Sequence, residues 1–162
     1  MQNLNIDIET YSSEDIQRAG AYRYALSPDF EVLLFAYSAD NGPVEVIDFK
    51  QGGTLPPDIL QALFDPSVTK HAYNAAFEWW CLSRHFRLGT EYSMTPEDWL
   101  PQWRCTMLHG LYCGYTAGLG ATGEALGLPQ DRRKRAMAAV PGPCRGTNRK
   151  NGRCSRNIAV RT

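Results

Sequence analysis

The sequence predicts an α/β or α+β sandwich built around a mixed sheet. Two observations carry this expectation. Three strand-like segments come early, the last two joined as a hairpin, and a helix, a short strand and further helices follow them. The 162 residues make one domain of ordinary size, and 43% hydrophobic with 11% aromatic residues suffice to bury a core.

The elements follow in order. Leu4 to Glu9 (LNIDIE) alternates apolar and polar side chains, the period of a strand with one buried face. Glu31 to Ser38 (EVLLFAYS) is a nearly continuous apolar run, suited to a central strand buried on both faces. Val44 to Phe49 alternates again, after the turn signal Asp40-Asn41-Gly42-Pro43. Pro57 to Phe64 reads as a helix with proline in its tolerant first turn. A short strand spans Val68 to Ala72, and Asn74 is placed to cap a helix running to about Phe86. Gly89 to Pro101 reads as a loop, and Trp103 to Tyr112 and Leu119 to Leu126 as two more helices, with Gly127 as a stop.

The formal charge of zero conceals a division. Residues 1–130 hold 7 basic and 16 acidic side chains, a balance of −9, whereas residues 131–162 hold 10 basic and one acidic, a balance of +9. The last aromatic residue is Tyr115, and residues 131–162 contain no Leu, Phe, Tyr, Trp or His. Such a segment buries little apolar surface to offset its ordering entropy, so the sequence divides into a folded domain over 1–130 and a basic, unstructured tail over 131–162. The five cysteines form no CxxC pair, which favours reduced thiols. No apolar run reaches the roughly 18–20 residues of a membrane span, and no leader opens the chain, so the expectation is a soluble, cytoplasmic protein without membrane contact.

Two constellations carry chemistry. Asp7 and Glu9 lie two apart on a strand and share a face, with Ile6 and Ile8 on the other. A polar face on an exposed edge strand explains that pattern simply. A metal-binding pair explains it as well, because magnesium and manganese prefer hard oxygen ligands held on a rigid element. In the second, His71 to Glu78 (HAYNAAFE), an Asn opens a helix and an acid follows one turn later. Taken singly, Asn74 is explained as a cap, Glu78 as a solvated first-turn acid and Phe77 as a core aromatic.

Together, I-D-x-E-T followed by N-x-x-F-E resembles the first two motifs of the proofreading 3′–5′ exonucleases, ribonuclease-H-like domains with four acidic site residues. The chain is most similar to the exonuclease region of phage-type family A DNA polymerases, also through Gly20 to Tyr24, Asp29 to Tyr37, Cys105-Thr106-Met107 and Leu126-Gly127-Leu128. The likeness covers roughly residues 1–130. It implies an α/β, ribonuclease-H-like three-layer fold, a mixed sheet flanked by helices and incomplete at the C-terminus. It further implies that Asp7, Glu9 and Glu78 bind two Mg2+ ions, with Mn2+ as a substitute. Thr10, Asn74 and Phe77 would contact substrate. The implied substrate is the 3′ end of single-stranded DNA, and the implied process is DNA replication, with a separately encoded polymerase domain as a partner.

The family's third motif, a Tyr or His a few residues before an Asp on a late helix, has no match here, since beyond Tyr115 there is no Tyr or His and the only Asp is Asp131. The expectation is therefore low or no exonuclease activity from this chain alone, and self-association through an incompletely covered sheet. The border near residue 131 has the look of a truncated or frameshifted polymerase gene. Two alternatives remain: a non-catalytic nucleic-acid-binding protein using the arm from Arg132 to Arg161, and a surviving catalyst whose fourth acid is Asp98 or Asp131. His85 and His109 have no nucleophile beside them in sequence, and Trp79, Trp80 and Trp99 read as packing residues, although an exposed Trp can stack on a base.

Overall fold

The computed structural model describes residues 1–129. The expected basic tail at 131–162 lies outside the described residues, as does Asp131.

Five strands form one mixed sheet in the order β3-β2-β1-β4-β5. Strand β1 (Asn3–Tyr11) is central. It pairs antiparallel with β2 (Glu31–Ala39) and parallel with β4 (Thr69–Ala72). Strand β3 (Glu45–Asp48) closes the hairpin with β2, and β5 (Trp103–Cys105) runs parallel to β4 at the other edge. The hairpin turn uses left-handed backbone at Asp40 and Asn41 (φ 47° and 61°), and the Asp40 carboxylate accepts from the amides of Gln2 and Asn3 at 2.8 Å each. These bonds hold the Asp40 carboxyl below its ordinary pKa and tie the turn to the start of β1.

Directly paired residues share a face of the sheet. Ile6 opposite Tyr37 and Ile8 opposite Phe35 are buried with Leu4 in the core. The other face carries Asn5 opposite Ser38, Asp7 opposite Ala36 and Glu9 opposite Leu34, and continues through His71 to Arg104. A bulge between Glu9 and Thr10 gives β2 one extra residue, Leu33, and turns the end of β1.

The parallel pairing of β4 with β1 needs a crossover, and helix α2 (Pro57–Phe64) supplies it, burying Ile59, Ala62 and Leu63. Helix α3 (Ala75–His85) follows β4 and buries Trp79, Cys81 and Leu82. Lys70, on β4, is also fully buried. Its ammonium donates to the carbonyls of Asp65 (2.6 Å) and Val68 (2.8 Å) and to Gln102 Oε1 (2.6 Å), joining the turn after α2 to the segment before β5. Burial pushes its pKa down to about 8.

Three elements depart from the sequence expectation. Helix α1 (Ile16–Ala25) fills a stretch with no clear apolar period, because Gly20 (φ 74°, ψ 164°) breaks it into two short turns. Helix α4 (Pro96–Trp99) sits inside the expected loop, started by a reciprocal capping box between Thr95 and Asp98. The expected helix from Trp103 begins only at Thr106, its first three residues forming β5. Helices α5 (Thr106–Tyr112) and α6 (Leu119–Ala125) then follow. Helix α5 buries none of its residues, and Leu108 and Tyr112 are 60% and 93% exposed. No helix among the described residues is long and apolar enough to cross a membrane.

Candidate active site

Asp7 and Glu9 stand on the same face of β1, as the alternation requires, but the strand is the centre of the sheet and not an exposed edge. Asp7 is half-buried and Glu9 is buried. Glu78, in the first turn of α3, is 1% exposed, so it is not a solvated helix-start acid. Carboxylates withdrawn from water in this way require a cationic partner, a proton or a metal.

Tyr24 and Cys81 link Glu9 on the strand to Glu78 on the helix. The Tyr24 hydroxyl lies 3.0 Å from Thr10 Oγ1, next to Glu9 in sequence. Burial raises the Tyr24 pKa, the bond with Thr10 opposes the rise, and the charges of Cys81 and Glu9 add to it. Burial likewise pushes the Cys81 thiol far up, and the charge of Glu78 adds to the effect. Glu9 and Glu78 therefore act on one small neighbourhood where β1, α1 and α3 meet. Hard carboxylate donors of this kind suit Mg2+ or Mn2+. Among the described residues, however, no three His, Cys, Asp or Glu side chains form a closed metal-ligand group.

Asn74 precedes α3 in left-handed backbone (φ 69°, ψ 50°), and its side chain caps nothing. The expected capping bond is thus absent, since a side-chain cap ordinarily needs extended backbone at this position and Asn74 is left-handed. Asn is among the few residues that accept this conformation, and strained backbone of this kind gathers at functional sites. Phe77, one turn on, is half-buried, packing on the core and against Tyr24 with ring centroids 6.0 Å apart. Asp98, the candidate fourth acid among the described residues, stands in the α4 cap, where its Oδ2 accepts from the Thr95 amide (3.1 Å) and hydroxyl (2.7 Å).

Sequence reasoning passed over Tyr24 and Cys81. Tyr24 lies on the kinked α1, whose weak period gave no reason to single it out.

No family model matches the chain. A DNA polymerase of Bacillus phage SP02 is 43% identical over 161 residues, a match covering 98% of this chain and 24% of the polymerase. The chain thus spans about a quarter of the length of this relative. The match crosses the border at residue 131, where charge and aromatic content change. Among solved structures, Brucella melitensis NrnC bound to pGG superposes with a TM-score of 0.54 at 20% identity, covering 85% of this chain and 56% of that one. Brucella melitensis NrnC with bound Mg2+ gives 0.53 at 20% identity, covering 87% and 61%. At this identity the structural likeness shows the fold.

Proposed function

We propose that this chain, a ribonuclease-H-like relative of a phage DNA polymerase, is the exonuclease region of such an enzyme and removes nucleotides from the 3′ end of single-stranded DNA. One observation carries the reading: the buried Glu9, sharing the polar face of the central strand with Asp7, and the buried Glu78 in the first turn of α3 act on the adjoining Tyr24 and Cys81. Asp7, Glu9 and Glu78 would hold the divalent ions. Two such ions, when bound, supply an activated water and charge neutralisation at the leaving oxygen. Glu9 is fixed by the β1 ladder, and Glu78 by the packing of α3. Asn74 offers an exposed amide at the head of α3, Phe77 a partly exposed ring, and Thr10, bonded to Tyr24, anchors the end of the strand.

Residues 1–162 contain the first two acidic motifs and no third, so this chain alone binds metal weakly and hydrolyses slowly or not at all. The match across residue 131 favours a tail that shares the polymerase's ancestry over one translated out of frame.

The test is Mn2+ binding together with digestion of a 3′-labelled single-stranded oligonucleotide in Mg2+ or Mn2+, with Asp7→Ala as control. Weak metal binding lost in the control, with little shortening, is expected. Rapid shortening that disappears in Asp7→Ala would overturn the impairment, and metal binding indifferent to Asp7→Ala would overturn the site. The charge of residues 131–162 favours a second reading, nucleic-acid binding by the basic arm. Deleting the arm should then abolish a steep salt dependence of binding.

A further inference from the structure

Helices α1 and α3 meet through two aromatic pairs. Tyr24 lies against Phe77 at the acidic site, and Tyr22 lies against Trp80, ring centroids 4.8 Å apart and 67° between planes. Phe77 and Trp80 are three residues apart on α3, so they are neighbours on its surface. The first pair is withdrawn from solvent at Tyr24, whereas Tyr22 is 52% exposed and Trp80 only half-buried. Trp79, by contrast, is a core residue whose indole donates to the Pro96 carbonyl at 2.8 Å. One turn beyond Trp80 is Arg84, and beside Tyr22 is Arg23. Both are exposed, and neither forms an ion pair among the described residues. Residues 1–130 carry a balance of −9, so cations free to meet phosphate are scarce on this domain.

We infer that Tyr22, Trp80 and Arg84 form a subsite for the second nucleotide of a single strand, its base stacking on the Tyr22–Trp80 pair and its phosphate meeting Arg84. The inference rests on the exonuclease reading, because the subsite adjoins the Tyr24–Phe77 pair, whose Tyr24 feels the charge of Glu9. Base stacking on exposed aromatics is tolerant of sequence, and an adjacent guanidinium adds attraction for both base and phosphate. An apolar peptide would draw no benefit from the flanking arginines.

The test measures binding to the full chain with metal chelated, which separates it from hydrolysis. Thymidine monophosphate, the dinucleotide pTT and a dinucleotide abasic at its second position are compared. Wild type should gain about 5- to 100-fold from mononucleotide to dinucleotide, the range of one base stack. Tyr22→Ala, at an exposed position, and Trp80→Leu, which keeps an apolar side chain without the stacking ring, should each lose most of that gain while binding the mononucleotide as before. The abasic ligand should lose it as well, and Arg84→Gln should reduce the salt slope by about one. Retention of the gain in both aromatic variants overturns the inference, as does full affinity for the abasic ligand or no gain in wild type. Failure of the exonuclease reading shows separately, as metal binding that ignores Asp7→Ala.

Discussion

Replacing Lys70 by Met tests whether a buried cation holds β4 in place. The folded ammonium has a pKa of about 8 against an ordinary 10.5, so burial costs about 3 kcal/mol that the variant recovers. Against this, three acceptors lose a charged donor: the Asp65 and Val68 carbonyls and Gln102 Oε1. At about 1.5–3 kcal/mol per charged bond, the loss outweighs the recovery. Water can reach the partly exposed Asp65 carbonyl and offset part of its loss, which puts the net destabilisation at about 1–4 kcal/mol. Urea unfolding at pH 7 should show a lower midpoint with an unchanged slope. Between pH 8 and 10.5 the folded protein releases the Lys70 proton while the unfolded chain keeps it. Wild-type stability should therefore rise through that window relative to Lys70→Met, by up to about 3 kcal/mol. An unchanged or higher midpoint in the variant at pH 7, or parallel pH profiles, would refute the reasoning.

Other expectations are more local. Asn74→Ala should cost about 1 kcal/mol in thermal unfolding because of the left-handed backbone, whereas Asn74→Gly should be neutral or mildly stabilising, and equal losses would contradict the conformational argument. Cys81, buried and with its thiol pKa raised, should resist alkylation at pH 8 until the protein unfolds, while exposed Cys113 reacts; mass spectrometry of the labelled protein decides. A Cβ on Gly53 would lie 2.7 Å from the Asp48 carbonyl oxygen, so Gly53→Ala should destabilise by about 1–3 kcal/mol in chemical denaturation.

The strands around the site were readable because their periods were long enough to see. Leu4, Ile6 and Ile8 alternate with Asp7 and Glu9, and the structure keeps that alternation up to the bulge at Glu9 and Thr10. The mixed sheet and the hairpin at Asp40 and Asn41 followed in the same way. Strand β5 was hidden because three residues show no period and Trp103 to Cys105 run straight into a helix. Helix α1 was hidden by the kink at Gly20. The α4 cap was legible in principle, since Thr95 and Asp98 stand at the spacing of a capping box. Asn74 was correctly placed at the head of α3, but its part in the local structure was misjudged, because a side-chain cap and a left-handed turn favour the same residue type. The burial of Glu78 depends on how α3 packs against the sheet and its neighbouring helices, tertiary contacts that no local pattern encodes.

The sheet ends in strands of only four and three residues, β3 and β5. Few backbone amides and carbonyls are thereby offered to an incoming chain, and strand-by-strand growth into fibrils finds little template at either border. Leu108, Leu111 and Tyr112 on α5 remain open to solvent. If molecules cluster at high concentration, they should do so through side chains along that helix, in reversible contacts dispersed by mild detergent, and not by extending the hydrogen-bonded ladder.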